Sequence, residues 1–119
     1  MIAGEVTDDG VPFIRFELAG EVFVAVIDTG FNGDLELPRK LRDRLNAKFV
    51  NSIESVLAAG QSVVEDVYAV MVTFDGRHFQ AEVTFSDAGE ILIGTRLLRQ
   101  HFLEVDFVQQ TLRLERPQS

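Results

Sequence analysis

Cysteine is absent from this chain of 119 residues, which excludes a disulfide framework, a cysteine-based zinc site and a thiol nucleophile. Basic residues are scarce: 11 Lys and Arg stand against 19 Asp and Glu, for a formal net charge of −8. With no basic stripe to replace phosphate counterions, nucleic acid is not expected as a partner. Arg39, Lys40, Arg42 and Arg44 do cluster, but Asp43 interrupts them and their spacing is that of a solvated helix face. Long apolar runs are missing too. The longest, such as Val67 to Val72, fall far short of the roughly 18 residues that span a bilayer, so no membrane segment is expected. Met1 to Glu5 carries neither the basic region nor the apolar core of a secretory signal, and the cytoplasm is the expected location. No linker, repeat or low-complexity stretch divides the sequence, which reads as a single domain over residues 1–119.

What is present is apolar and strand-like. Hydrophobic residues make up 46% of the chain and ten are Phe, ample material for a core. Glu5 to Thr7 and Val11 to Leu18 flank Asp8-Asp9-Gly10, the composition of a hairpin turn. Gly20-Glu21 turns the chain into Val22 to Ile27, whose apolar residues on both faces predict a strand buried on both sides. Pro38 suits the first position of a short helix, with Leu41 and Leu45 facing inward one turn apart. Strand patterning resumes from Phe49 to Phe85. There Asp75-Gly76 separates Val67 to Phe74 from Arg77 to Phe85, and Phe79, Ala81, Val83 and Phe85 form the core-facing set of the second arm. Thr95 reads as the N-cap of a helix over Arg96 to His101, followed by strands at Leu103 to Val108 and Thr111 to Leu114. The tail, Glu115 to Ser119, is polar and expected to be loose.

Two motifs carry chemistry. The run Phe23-Val24-Ala25-Val26-Ile27 ends in Asp28-Thr29-Gly30, and Ile91-Leu92-Ile93 ends in Gly94 before a helix-like segment. A strand that stops at a carboxylate, with a hydroxyl and a glycine next to it, fixes that carboxylate at a strand end. Taken alone, Asp-Thr-Gly is as well explained by an ordinary solvated turn. The order strand, Asp-Thr-Gly, helical turn, hairpin, then apolar-apolar-Gly resembles the retropepsin-like aspartic protease family, over about Val22 to Leu114.

The resemblance implies a mainly β acid-protease fold, a closed single-lobed β-barrel with one or two short helices. It also implies an aspartic endopeptidase acting on polypeptide. Such hydrolysis needs two carboxylates sharing one proton, yet the chain contains a single Asp-Thr-Gly and is too short for two lobes. The partner must then be Asp28 of a second copy, which makes a homodimer part of the expectation. By the same resemblance, Thr29 would hydrogen-bond across the two-fold axis and Gly30 would admit substrate backbone. Phe31 and Asn32 stand where viral members commonly carry Ala and an acidic residue, and they become the substrate-binding candidates of the loop. Ser55 to Val64, with Ala58, Ala59 and Gly60 at its tip, is composed like a flap over a bound peptide, or like a plain hairpin. Arg96 is one position away from where viral members place the internal arginine, which leaves its pairing open.

His78 and His101 have neither metal-pair nor triad spacing and read as surface or helix-end residues. Glu104 and Asp106 alternate on a strand and should face water. No metal and no cofactor is assigned. Two rival readings keep the fold and drop the chemistry: a non-catalytic dimeric peptide-binding or assembly module, and a β-barrel binder of small ligands.

Overall fold

The computed structural model describes residues 1–117. Ten strands form one sheet: β1 (Ile2–Val6), β2 (Pro12–Leu18), β3 (Glu21–Ile27), β4 (Leu35–Pro38), β5 (Lys48–Val56), β6 (Ser62–Phe74), β7 (Arg77–Ser86), β8 (Ile91–Ile93), β9 (Phe102–Asp106) and β10 (Thr111–Glu115). In space they run β5-β6-β7-β4-β8-β3-β2-β1-β10-β9. The sheet curls so that β2 packs on β6, with the Phe16 and Phe74 rings 6.2 Å apart. Most pairings are antiparallel hairpins, whereas β3 with β8 and β4 with β7 are parallel.

The alternation read from the sequence sets the core. On β7, Ala81 and Val83 are buried with Phe79 and Phe85 packed against the cluster, while Arg77, Gln80 and Glu82 face out. Ile14, Leu35, Leu37, Val83, Ile93 and Leu114 are the largest of the fully buried side chains, each stabilising the fold by about 1.5–3 kcal/mol relative to exposure. Three of them, Leu35, Leu37 and Ile93, belong to β4 and β8, the short central strands that flank the Asp28 loop. Asp75 and Gly76 both have positive φ, 51° and 76°, the mirror-image turn that matches strand twist in a two-residue hairpin. Among the described residues no helix is long and apolar enough to cross a membrane.

Four expectations change. β3 is covered on one face only: Val22 and Val24 are 66% and 57% exposed. Side chains alternate across the sheet, so Phe23, Ala25 and Ile27 belong to the core or pack against it while Val22 and Val24 project from the opposite face. Pro38 ends β4, and the helix after it is a tight 3-10 turn over Arg39–Arg44, with Leu41 buried and Leu45 packed on the core. The second helix, α1, is one turn, Thr95–Leu98, and its N-cap is Gly94 with no side-chain cap. Thr95 already lies inside the turn, and its hydroxyl reaches the Phe31 carbonyl at 3.4 Å instead.

His101 follows α1, its N–H donating to the Leu98 carbonyl at 2.8 Å, so it is a helix-end residue. It is not a surface one. Its side chain is 5% exposed, with Nε2 3.0 Å from Asp75 Oδ2 and its ring edge-on to Phe74. Burial pushes the Asp75 carboxyl up, but the His101 hydrogen bond, the N-terminal ammonium and the His101 charge outweigh it and hold it below its ordinary value. His78 is exposed, Nδ1 lying 2.7 Å from Thr73 Oγ1. Glu104 and Asp106 face water, as expected. The last strand takes in Glu115, and the Arg116 guanidinium donates to the Gln100 side-chain oxygen. The end of the tail, Gln118 and Ser119, lies outside the described residues.

Candidate active site

Asp28 sits where β3 stops. Its N–H donates to the Ile93 carbonyl at 2.9 Å, which extends the β3–β8 pairing by one residue past Ile27. The chain then reverses through Thr29 and Gly30, closed by the Phe31 N–H donating to the Asp28 carbonyl at 3.1 Å. The Gly30 N–H donates to Asp28 Oδ1 at 3.0 Å, so the carboxylate is oriented by its own turn. Asp28 is half-buried, and Thr29 and Gly30 are exposed at the apex.

The second motif clamps this loop from behind. The Gly94 N–H donates to Asp34 O at 3.0 Å, Thr95 N–H to Phe31 O at 2.9 Å, and Arg96 N–H to Gly33 O at 3.2 Å. Such an approach requires glycine: a Cβ at Gly94 would lie 2.1 Å from the Gly33 carbonyl oxygen and 2.8 Å from that of Phe31. The two stretches some sixty residues apart in sequence are therefore one structural unit.

A cavity of about 450 Å³ opens beside the loop, walled by Phe31 and Asn32 on one side and by Ile53, Ser55 and Glu65 of the β5–β6 hairpin on the other. Phe31 and Asn32 thus stand together at a cleft. Ala59 and Gly60 do not line it, and the Ala58 side chain lies outside the described residues. All three form a 3-10 turn at the far end of the hairpin, where Ala59 and Gly60 have φ of 71° and 77°. The hairpin stem is rich in exposed apolar side chains, Ile53, Val56, Leu57, Val63 and Val64 among them.

The carboxylates around the loop escaped sequence reading. Asp34 is 7% exposed; its Oδ2 accepts the Glu82 N–H at 2.9 Å, and its Oδ1 lies 3.9 Å from Arg96 Nε. Arg96 also pairs with Glu82, which settles the pairing left open by its displaced position. Burial raises the Glu36 carboxyl above its ordinary value, and the negative charges of Glu65 and Asp28 add to the effect. Only the alternation of Leu35-Glu36-Leu37 hinted that Glu36 would face away from the core and toward the cleft. Among the described residues no group of three or more His, Asp or Glu is placed to hold a metal ion.

A curled sheet with a clamped Asp-Thr-Gly turn beside a cleft is the retropepsin-like aspartic protease fold. The chain is similar over 95% of its length to a retropepsin-like aspartic protease from Rickettsia conorii, with 88% of that chain covered, TM-score 0.67 and 20% identity. It is also similar to the simian foamy virus (mac) protease, with TM-score 0.58, 23% identity, and 73% of this chain and 91% of that one covered. The EIAV protease, in complex with the inhibitor HBY-793, gives TM-score 0.56 and 18% identity, with 78% of this chain and 89% of that one covered. No protein-family model and no curated protein sequence matches the chain.

Proposed function

We propose that this protein is an aspartic endopeptidase that works as a homodimer, with the two Asp28 carboxylates facing each other across the two-fold axis. The observation that carries the reading is the Asp28 turn: a half-buried carboxylate oriented by the Gly30 N–H, with the exposed residues Thr29 and Gly30 at its apex. An isologous pair brings a residue next to its own copy only at the axis, and an exposed, rigid turn is suited to that contact. In the reaction, one carboxylate takes a proton from water as its oxygen attacks the scissile carbonyl. The protonated partner donates to the carbonyl oxygen, and the resulting diol collapses with proton transfer to the leaving amine. Thr29 braces the paired turns, Gly30 leaves room for substrate backbone, and Phe31 and Asn32 contact substrate side chains. The tip at Ala58, Ala59 and Gly60 closes over the peptide and excludes water.

The test is cleavage of a peptide library across the acidic to alkaline range, with Asp28→Asn beside the wild type. Two adjacent carboxylates cannot both ionise cheaply, so activity should follow a bell centred on the acidic side of neutral and vanish in the variant. A rate that keeps rising into alkaline pH, or a fully active Asp28→Asn protein, contradicts the reading.

A further inference from the structure

Against a net charge of −8, one cavity of about 390 Å³ is walled by Arg77, Arg96, Arg99, Arg116, His78 and His101. It lies between the start of β7 and the α1 turn, and it gathers both histidines of the chain with four of its 11 Lys and Arg residues. The six are scattered over forty residues of sequence, so the cluster exists only in the fold. Among the described lining residues Asp34 is the one acidic group, and it is committed to the Glu82 N–H and Arg96.

The remaining positive charge is poorly matched. Arg77 and Arg99 form no ion pair among the described residues, and Arg116 is bonded to the neutral Gln100 amide. In the same wall His101 Nδ1 is buried with no hydrogen-bond partner, while Nε2 is taken by Asp75. Like charges gathered in a concave site repel one another and concentrate a field that attracts anions. Guanidinium groups present paired donors that match phosphate and carboxylate oxygens. The volume is that of a small-molecule site.

We propose that this cavity binds a small polyanion, a ligand with two or more phosphate or carboxylate groups held chiefly by Arg77 and Arg99. The site goes beyond proteolysis and stands whether or not the protein cleaves peptides. It shares Asp34 and Arg96 with the cleft beside Asp28, which makes Arg96 the common wall of the two.

Titration calorimetry with inorganic pyrophosphate and with citrate, each against sodium chloride at matched ionic strength, tests the proposal. At least one of the two should give saturable one-site heat, pyrophosphate the tighter for a phosphate ligand and citrate for a carboxylate one. Replacing Arg77→Gln and Arg99→Gln together should weaken binding at least about tenfold, with the melting temperature in chloride unchanged because both side chains are exposed. The proposal is overturned if neither anion gives saturable heat beyond chloride, or if the double variant binds less than about tenfold more weakly than the wild type.

Discussion

The loop around Asp28 and the hairpin tip around Gly60 both reverse the chain between strands, but they are held in opposite ways. From Asp28 to Asp34 the loop is tied to Ile93, Gly94, Thr95 and Arg96 by four backbone hydrogen bonds, and its contact with Gly94 leaves no room for a methyl group. Among the described residues the backbone hydrogen bonds of the hairpin tip are to itself, Leu57 N–H to Gln61 O at 2.7 Å and Gly60 N–H to Leu57 O at 3.2 Å, and nothing lies within 4 Å of a Cβ built on Gly60. At Gly94 glycine is required for close approach, at Gly60 for a φ of 77°. Catalytic groups need fixed geometry, and covers over clefts need low local stability, so the contrast is the one a protease would require.

The largest effect should come from breaking the clamp. Gly94→Ala drives a methyl into two backbone carbonyls that cannot rotate away, and should destabilise the fold by about 3 kcal/mol or more, read by chemical denaturation. A loss under about 1 kcal/mol would mean that the loop and α1 separate easily.

Gly60→Val sharpens the contrast from the other side. A β-branched residue resists positive φ, so the tip should shift at a cost of about 1–3 kcal/mol confined to the hairpin. Peptide turnover should fall roughly tenfold, about 1.4 kcal/mol of transition-state stabilisation. Unchanged turnover with lowered stability would make the hairpin structural and remove the flap role.

Glu36 lies between the two regions and gives the smallest effect. Its carboxyl is raised in the folded state by burial first, then by Glu65 and Asp28, so the folded protein holds this proton more tightly than the unfolded one. The stability it contributes is present below the unfolded value of 4.5 and is lost as pH rises through the folded one. Glu36→Gln should therefore be more stable than the wild type at neutral pH, with the gain fading as pH falls below that window, in denaturation curves measured at each pH. Equal gains at all pH values would show that Glu36 carries no shifted proton.

How much was legible follows the range of the interactions. Asp9-Gly10 and Asp75-Gly76 announced their hairpins because turn chemistry is local, and the alternation of Phe79, Ala81, Val83 and Phe85 announced its own core face. Asp28 and Gly94 were legible as motifs, though not as contact partners. The exposure of Val22 and Val24 depends on what packs over that face of the sheet, which no pattern within β3 records. Asp34 meets Glu82 across 48 positions of sequence and Arg96 across 62, and Asp75 meets His101 across 26. Each of these side chains reads as an ordinary surface charge until the fold supplies its partner.

The central claim is that one site uses one carboxylate from each of two chains, and mixing tests it most directly. Wild-type and Asp28→Asn protein are unfolded together, refolded at equal amounts and fixed total concentration, and assayed on a cleavable peptide. If the dyad forms in trans, random pairing leaves about one quarter of the dimers with both carboxylates, and activity should fall to about one quarter of an all-wild-type sample. Activity of about one half, in proportion to the wild-type chains present, would show that each chain works alone and would contradict the account.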